Sequence, residues 1–288
     1  MNKYYSNQIQ KIKGLLSLGI FSFLSFFLLS EAAAAEQDSY PPDIKKIISR
    51  GVLKVGLIGS TNEFPFFFFD KNKRLTGLDV DMAEELARSL GVKLDLNRSA
   101  TTYQGVVDLV ERGTVDLGIS LLSGTMSRAQ KSSFSQPYIF LYEGLLVNRL
   151  RLSELPRKSN FFDRINTEEA TIGYLADSAY EYFARRLFTK AKLKGFPYQK
   201  YLTEEVKKGT ITAGLVDEKE IKTFAIFNPN DILYVETVEI RDFKDPICIF
   251  VAYENKHLLF YVNTFLDRRK KASFNQLIQN YYQPGVHE

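Results

Sequence analysis

The sequence has little of what a metalloprotein or a disulfide-stabilised scaffold requires. Its 288 residues include one cysteine, two histidines, three methionines and no tryptophan. A single thiol excludes an intrachain disulfide and a cysteine-rich zinc cluster. Cys248 lies in the apolar run ICIFVAY, which favours a buried thiol. The chain also has no phosphate-binding loop, no Ser-His-Asp order and no cluster of metal ligands, so we expect no cofactor.

The chain also carries little net charge. The 38 basic and 34 acidic side chains leave a formal charge of +4, and no cluster of Lys and Arg accompanies it, which argues against nucleic-acid binding. Apolar residues make up 45% of the chain, with 23 Phe and 16 Tyr among them. That supply is enough to bury one large core or two smaller ones, and it excludes disorder as the main state.

The first 35 residues differ from the rest. Three lysines precede an uncharged, mostly apolar run from Gly14 to Ser30, and four alanines follow at 32–35. This pattern is typical of a secretory signal peptide cleaved after Ala34 or Ala35. An uncleaved anchor is the alternative, although the run is short for a membrane span. Cleavage removes three Lys and one Glu, which leaves 35 basic and 33 acidic side chains, a net charge of +2 and a protein located in the periplasm.

The rest of the chain alternates strand and helix patterns. Hydrophobic spacing predicts strands at 53–57, 115–120, 170–174, 212–216 and 247–252. It predicts helices at 80–90, 103–113 and 178–194, and two more around 258–265 and 274–281. Asp81 with Glu84, and Ser178 with Glu181, have the spacing of capping boxes. The series restarts after Asn148, so we expect two α/β units of similar plan with covered sheet faces.

Ligands of open α/β sheets bind beyond the carboxyl ends of strands. That rule selects the segment from Ser120 to Arg128, Asp217 at the end of TAGLV, and the helix start at Ser178. A guanidinium suits a carboxylate, a carboxylate suits an ammonium, and serines add neutral hydrogen bonds. Such a set would recognise a zwitterion. Taken by composition alone, Arg128 also fits a surface charge and Asp217 a cap residue, and these alternatives stay open.

Several segments, taken in order, resemble one family. They are GVLKVGLIGSTNEFPFFFFDKNKRLTGLDVDMAEELARSLGVKL, VDLVERGTVDLGIS, SGTMSRAQKSSFSQPYIF, EEVKKGTITAGLVDE and FYVNTFLDRRKKASFNQLIQNYY. The F-S-x-P-Y motif after an upstream arginine, combined with GLDVDMAEELA, makes the likeness specific. The chain resembles the bacterial extracellular solute-binding proteins of family 3, the periplasmic amino-acid-binding proteins of ABC importers.

The resemblance implies a type II periplasmic-binding-protein fold, in which two α/β lobes are joined by a two-strand hinge. Lobe one would comprise 41–141 and 248–288, and lobe two 142–247, with crossings near 140–146 and 245–250. The protein would be a monomer that captures a free amino acid between its lobes and delivers it to the membrane permease of an ABC importer. A cationic amino acid is one option.

The resemblance also implies roles for individual residues. Arg128 would hold the α-carboxylate of the ligand, and Ser123 and Ser178 would contact the same carboxylate. Asp217 would pair with the α-ammonium, and Ser120 would assist there or at the ligand side chain.

Other positions depart from the family pattern or have two interpretations. Tyr103 stands where the family often places an aromatic wall, but it also fits the start of a helix face. Glu63 replaces a common aromatic: it would favour a cationic ligand if it faces the pocket, while Phe64 would form the wall if Glu63 faces solvent. Asp177 is a like charge beside the carboxylate site and should point away or shift the ligand preference, and Thr212 replaces a usual Asp.

Two other functions remain open. Periplasmic cyclohexadienyl dehydratases resemble the same family, and their chemistry needs a general acid in the cleft. Glu63 and Glu181 are the candidates, whereas Asp217 speaks against this function because a substrate without an ammonium does not need it. The third function is a sensor module that presents its ligand to a membrane receptor.

Overall fold

The structure is a computed structural model that describes residues 39–282. The predicted signal peptide lies outside those residues. Within them, none of the helices combines the length and the apolar character that crossing a bilayer requires.

The first described element is helix α1, Pro42–Arg50. A proline suits the first helical turn because its missing N–H would have no intrahelical partner there. Gly51 ends the helix with a φ of 69°, and its N–H donates to the carbonyls of Ile47 and Ile48. A residue without a Cβ adopts this left-handed conformation at low cost.

Eleven strands occur in the described part of the chain. They are β1 Val52–Gly56, β2 Phe68–Phe69, β3 Leu75–Thr76, β4 Lys93–Asn97, β5 Leu117–Ser123, β6 Ser132–Phe134, β7 Ile139–Asn148, β8 Thr171–Leu175, β9 Lys192–Phe196, β10 Ala213–Asp217 and β11 Val235–Ala252. Nine of them form one mixed sheet in the order β4-β1-β5-β11-β7-β10-β8-β9, with β6 paired to β11, and β2 and β3 form a separate hairpin. The predicted α/β class with a sheet is therefore confirmed.

Ten further α-helices follow α1 in the described residues. They are α2 Leu78–Ser89, α3 Tyr103–Glu111, α4 Met126–Ala129, α5 Arg149–Glu154, α6 Phe161–Ile165, α7 Ala179–Leu187, α8 Gln199–Lys208, α9 Glu218–Phe227, α10 Lys256–Arg268 and α11 Phe274–Tyr281. A short 3-10 turn, Asp231–Leu233, precedes β11.

Two long strands connect the two parts of the sheet. One part is β4-β1-β5, the other is β10-β8-β9, and β11 and β7 lie between them. The C-terminal residues of β11 pair with β5 and β6, while most of its length runs antiparallel to β7. The predicted crossings near 140–146 and 245–250 fall on these two strands, and the lobe boundaries stay a prediction.

The second part of the sheet is covered on both faces. Leu145 and Leu215 belong to a core cluster that includes Phe183 of α7. Their chain neighbours Leu146 and Val216 belong to another cluster on α8 and α9. Successive side chains of a strand point to opposite faces, so a strand buried on both sides reads as a continuous apolar run.

The first aspartate of GLDVD, Asp79, has a structural role in this fold. Asp79 is buried at the start of α2 and accepts hydrogen bonds from the Tyr138 hydroxyl at 2.9 Å and the Leu121 N–H at 2.7 Å. Burial raises the pKa of Asp79 to about 7, against the lowering effect of both hydrogen bonds. Tyr138 is the tyrosine of the F-S-x-P-Y motif. The two motifs therefore meet and fix the end of β5.

One long helix was wrongly expected, because its second half is a strand. Helix α7 ends at Leu187, and β9 follows at the edge of the sheet, where Lys192 and Lys194 are exposed. This edge strand has the period-two alternation of exposed lysines that protects sheet edges. The capping box expected at Asp81 is also wrong: α2 begins after Gly77, and Asp81 accepts from the Tyr281 hydroxyl at 2.5 Å.

We predict that Tyr138→Phe lowers the free energy of unfolding by about 1–3 kcal/mol, because it removes a hydrogen bond from a fully buried carboxyl group. Urea unfolding followed by circular dichroism measures the change. The matched control is Tyr253→Phe, since Tyr253 is 70% exposed, and it should stay within about 0.5 kcal/mol of wild type. Equal effects of the two substitutions would contradict a structural role for the motif.

Candidate functional site

Six of the eight predicted site residues line one cavity of about 30 Å³. They are Glu63, Tyr103, Ser123, Arg128, Ser178 and Asp217. The cavity lies at the ends of β5, β8 and β10, as the rule for open α/β sheets requires. Residues that are distant in sequence therefore share one site.

Arg128 is held by the short helix that follows β5. The Thr125 hydroxyl caps α4, and the Arg128 Nη1 donates to the carbonyl of Ser123 at 3.0 Å. Its guanidinium carbon lies 5.8 Å from the ring centroid of Phe250. Burial lowers the pKa of Arg128 to about 10, partly offset by the Asp245 carboxylate, so the guanidinium remains charged at neutral pH. It offers a fixed positive charge inside the cavity.

Asp217 ends β10 and begins α9. One of its carboxylate oxygens accepts the Glu220 N–H at 2.9 Å, and the other accepts the Tyr180 hydroxyl at 2.8 Å. Burial raises the pKa of this carboxyl group above its ordinary value. Asp217 is thus both a helix cap and a cavity-lining acid, and a carboxylate has further acceptor capacity beyond these two bonds.

Ser178 is committed to capping helix α7. Its Oγ accepts the Tyr180 N–H at 3.1 Å, and its hydroxyl donates to the Leu175 carbonyl at 2.7 Å. The preceding Asp177 has a φ of 52° and its side chain is exposed, so this acid does point away from the cavity. The carbonyl of Asp177 accepts the Gln104 N–H at 3.3 Å, which joins α3 to the turn before α7.

An ion pair crosses the cavity between Glu63 and Lys219. The Lys219 ammonium, on the first turn of α9, contacts the carboxylate of Glu63 and also that of Glu220 at 2.8 Å. Burial disfavours the charged ammonium, but the carboxylates of Glu220, Glu63 and Asp217 raise the pKa of Lys219 well above its ordinary value. Glu63 therefore faces the cavity, and its charge is already compensated. The effect of Glu63 on ligand preference stays a prediction.

Three other predicted positions have different surroundings. Tyr103 lines the cavity, and burial together with the Glu63 carboxylate raises its pKa well above the ordinary value. Ser120 is fully buried, does not line the cavity and accepts the Ile58 N–H at 3.0 Å through its Oγ. Phe64 is also away from the cavity lining and packs edge-on against Phe68 and Phe227.

Five polar residues that line the cavity were not predicted as site residues from the sequence. Tyr180, Gln199, Lys219, Glu220 and Asp245 line the cavity. Asp245 lies on β11 and accepts the Ser123 hydroxyl at 2.5 Å. The sequence offers one signal for Asp245: this acid stands directly before Pro246 and the apolar run ICIFVAY.

Glu143, on β7, was also missed; it does not line the cavity and has no exposed surface. It is the one charged residue in the run IFLYEGLLVN, and a charge in an apolar strand is a signal that sequence reasoning can use. Register pairs Glu143 with Asp217 across β7 and β10. Burial, and the carboxylates of Asp245 and Asp217, raise the pKa of Glu143 well above its ordinary value.

The cavity lining and the neighbouring Glu143 together carry more carboxyl groups than cations. The acids are Glu63, Glu143, Asp217, Glu220 and Asp245, and the cations are Arg128 and Lys219. No group of three or more His, Cys, Asp or Glu side chains in residues 39–282 has a geometry that could hold a metal ion. The arrangement suits a ligand that brings both a carboxylate and positive charge.

A larger groove adjoins the cavity. Its volume is about 440 Å³, and it shares Glu63, Tyr103, Leu175 and Gln199 with the cavity lining. A cavity of 30 Å³ accommodates only one or two water molecules. A free amino acid is larger than this cavity as the structure has it.

Comparison with known proteins gives a consistent result. A probable histidine-binding protein of Campylobacter jejuni is 24% identical over 226 residues, which cover 78% of this chain and 83% of that protein. A probable ABC transporter extracellular-binding protein of Bacillus subtilis is 28% identical over 162 residues, so the match spans about half of each chain, 54% of this one and 55% of the relative. An enzyme also matches: cyclohexadienyl dehydratase of Pseudomonas aeruginosa is 25% identical over 202 residues, 70% of this chain and 71% of that enzyme.

Solved structures share the fold. A binding component of an ABC transporter from Wolinella succinogenes, complexed with lysine, superposes with a TM-score of 0.68 at 26% identity, covering 82% of this chain and 97% of that one. An ancestral amino-acid-binding protein, a precursor of cyclohexadienyl dehydratase, gives a TM-score of 0.67 at 26% identity, covering 83% and 99%. The predicted type II periplasmic-binding-protein fold is thereby confirmed.

The sequence profile of one family matches almost the whole described chain after α1. The match runs over residues 53–284 and includes every residue of the cavity described above. The resemblance inferred from the motifs is confirmed, and this chain belongs to the bacterial extracellular solute-binding proteins of family 3.

Proposed function

We propose that this protein captures a free amino acid with a cationic side chain in the cavity and delivers it to the permease of an ABC importer. The observation that carries the proposal is the placement of Arg128 and Asp217 in the lining of one cavity. A guanidinium and a carboxylate held within one small site match the two charged groups that every free amino acid presents.

In this proposal Arg128 binds the α-carboxylate, and Asp217 binds the α-ammonium. Ser123 and Ser178 take part through backbone N–H groups, because their hydroxyls already make hydrogen bonds. Arg128 and Ser123 belong to the predicted lobe one, and Ser178 and Asp217 to the predicted lobe two. A ligand that contacts both lobes favours their closed arrangement by its differential affinity for that state.

The excess of acids supports a cationic ligand. A neutral amino acid brings one positive and one negative charge, so the excess of acidic over basic groups in the cavity is unchanged. A basic amino acid brings one more positive charge and reduces that excess. Burial of like charges without compensation costs free energy, so the net positive ligand gains more from this cavity. The lysine complex of the Wolinella succinogenes relative fits the same ligand class.

The proposed location is the periplasm, reached through cleavage of the predicted signal peptide. The family consists of extracellular proteins, which supports this location. We propose that the protein acts as a monomer.

A dehydratase is the second candidate function. Burial raises the pKa of Asp245 to about 7, which would suit a general acid, and a cyclohexadienyl dehydratase is among the relatives. The two acids expected from sequence fit less well, because Glu63 is paired with Lys219, and Glu181 is paired with Arg185 at the surface. An acid-rich cavity also disfavours a substrate with two carboxylates. Ultraviolet detection of product after incubation with prephenate or arogenate would establish this activity.

We predict that L-arginine, L-lysine or L-ornithine raises the melting temperature of the mature protein, and that L-glutamate and L-aspartate do not. A ligand at 100 times its dissociation constant adds about 2.7 kcal/mol to the free energy of unfolding, which shifts the melting temperature by several degrees. A thermal-shift screen against the common amino acids measures the effect. A largest shift with an acidic amino acid would refute the proposed ligand class.

We predict that Arg128→Ala weakens binding of the stabilising amino acid by at least ~3 kcal/mol, or at least ~100-fold in dissociation constant, because the α-carboxylate loses its charge partner. Isothermal titration calorimetry measures the loss. Arg185→Ala is the control, since Arg185 pairs with Glu181 at the surface with its side chain 63% exposed. Wild-type affinity in Arg128→Ala would show that the carboxylate site is elsewhere.

We predict that Lys219→Met opens the ligand-free protein. Without the ammonium, the carboxylates of Glu63 and Glu220 are buried together without a cation, a cost of about 3–5 kcal/mol that separation of the lobes relieves. Small-angle X-ray scattering should show a larger radius of gyration than wild type. Lys208→Met, at a surface position with its side chain 61% exposed, should leave the radius unchanged. An unchanged radius in Lys219→Met would mean that this ion pair does not hold the lobes together.

A further inference from the structure

Three carboxyl groups lie in a row across neighbouring strands. Glu143 of β7 is paired in register with Asp217 of β10, and Asp245 of β11 is paired with Leu141, two residues from Glu143 on the same face of β7. We call Asp245, Glu143 and Asp217 the carboxylate row. Adjacent strands are about 4.8 Å apart, so the row is on the order of 10 Å long.

The row is only partly satisfied by the protein. Glu143 has no exposed surface, and neither of its carboxylate oxygens has a hydrogen-bond partner among residues 39–282. Asp245 is 5% exposed and lines the cavity, and its Oδ1 likewise lacks a partner in the described chain. Buried carboxyl groups are normally paired, and each exception needs an explanation.

The cations nearby are committed to other groups. Arg128 donates to the Ser123 carbonyl, and Lys219 contacts Glu63 and Glu220. Among residues 39–282, the surroundings of the row thus supply acids and hydroxyl groups but no cation dedicated to Glu143. The charged and titratable groups around Glu143 are Asp217, Asp245 and Tyr180, with Arg128 beside Asp245 and Lys219 beside Asp217.

We propose that Asp245, which lines the cavity, extends the ammonium site at Asp217 into a subsite for a second positive group of the ligand, and that Glu143, which has no exposed surface, determines specificity through its electrostatic coupling to these two acids. This inference rests on the proposed function and names the residues that select the ligand class. The two nitrogen atoms at the ends of lysine or ornithine fit within the length of the row. A neutral amino acid leaves Glu143 and Asp245 without a charged partner, and this difference selects basic amino acids.

The row also predicts the sign of a pH effect. Burial raises the pKa of Asp245 to about 7 and that of Glu143 well above its ordinary value, so Asp245 is about half protonated at neutral pH. A cation favours the deprotonated carboxylates, and binding therefore releases protons. The affinity for a basic amino acid rises as the pH increases from about 5.5 to 8, through the range in which Asp245 loses its proton.

The test compares charged ligands with neutral isosteres. Calorimetry is run with L-arginine against L-citrulline and with L-lysine against L-norleucine, on wild type, Glu143→Gln and the surface control Glu154→Gln, whose side chain is 51% exposed. We expect Glu143→Gln to weaken arginine and lysine binding at least ~10-fold. Citrulline and norleucine should change by less than about threefold, and Glu154→Gln should match wild type.

Two further readouts separate this inference from general damage. Without ligand, Glu143→Gln should have a melting temperature equal to or above that of wild type, because it removes a buried unpaired acid. Its arginine affinity should also rise less steeply with pH. If Glu143→Gln does not fold, Asp245→Asn takes its place with the same expectations for the ligands.

The outcomes test the role of Glu143 separately from the proposed function. An equal loss of affinity for arginine and citrulline, or no loss for either, overturns the role of Glu143. Failure of wild type to bind any of the four amino acids overturns the proposed function itself.

Discussion

The cavity is built on one electrostatic constraint: more carboxyl groups than cations are buried around a single small volume. Such groups do not contribute to folding, because desolvation raises their pKa and the nearest acids repel one another. The fold holds them in place through backbone elements that are stable for other reasons. Asp217 is the cap of α9, Asp245 is tied to Ser123, and Glu143 lies in a strand whose other inward residues form core clusters. Under the proposed function, a ligand that brings positive charge would compensate these acids.

The strands β7 and β11 have two roles in the structure. They connect the two parts of the sheet, and they carry Glu143 and Asp245 into the site. A ligand bound at these residues therefore acts on the segments about which the lobes would move. The ion pair between Lys219 and Glu63 lines the same cavity and joins residues of the two predicted lobes. Under the proposed function, ligand binding and lobe closure would depend on a shared set of buried charges.

Much of this molecule is predictable from its sequence. Arg128, Ser123, Ser178 and Asp217 were found because strand ends and helix starts place polar groups at one edge of a sheet, and the structure brings all four into one cavity. Phe64 and Ser120 could not be placed, because a side chain near a strand end can point into the core as readily as into the cleft.

Other residues of the site could not be predicted because they depend on tertiary pairing. Lys219 reaches Glu63 across 156 positions of sequence, and no local pattern shows which acid a lysine will meet. Glu143 and Asp245 form a row only because β11 lies beside β7 in one register. The helix expected at 178–194 is wrong for a similar reason. Its last residues belong to the edge strand β9, which forms only because it pairs with β8.

Native mass spectrometry of the protein purified from the periplasm would identify the ligand that the cavity retains. We expect the protein to retain a small ligand with the mass of a basic amino acid, and the Arg128→Ala variant not to retain it. A retained ligand with the mass of an acidic amino acid or a dicarboxylic acid would contradict a cationic ligand bound at Arg128, as would equal retention by the variant.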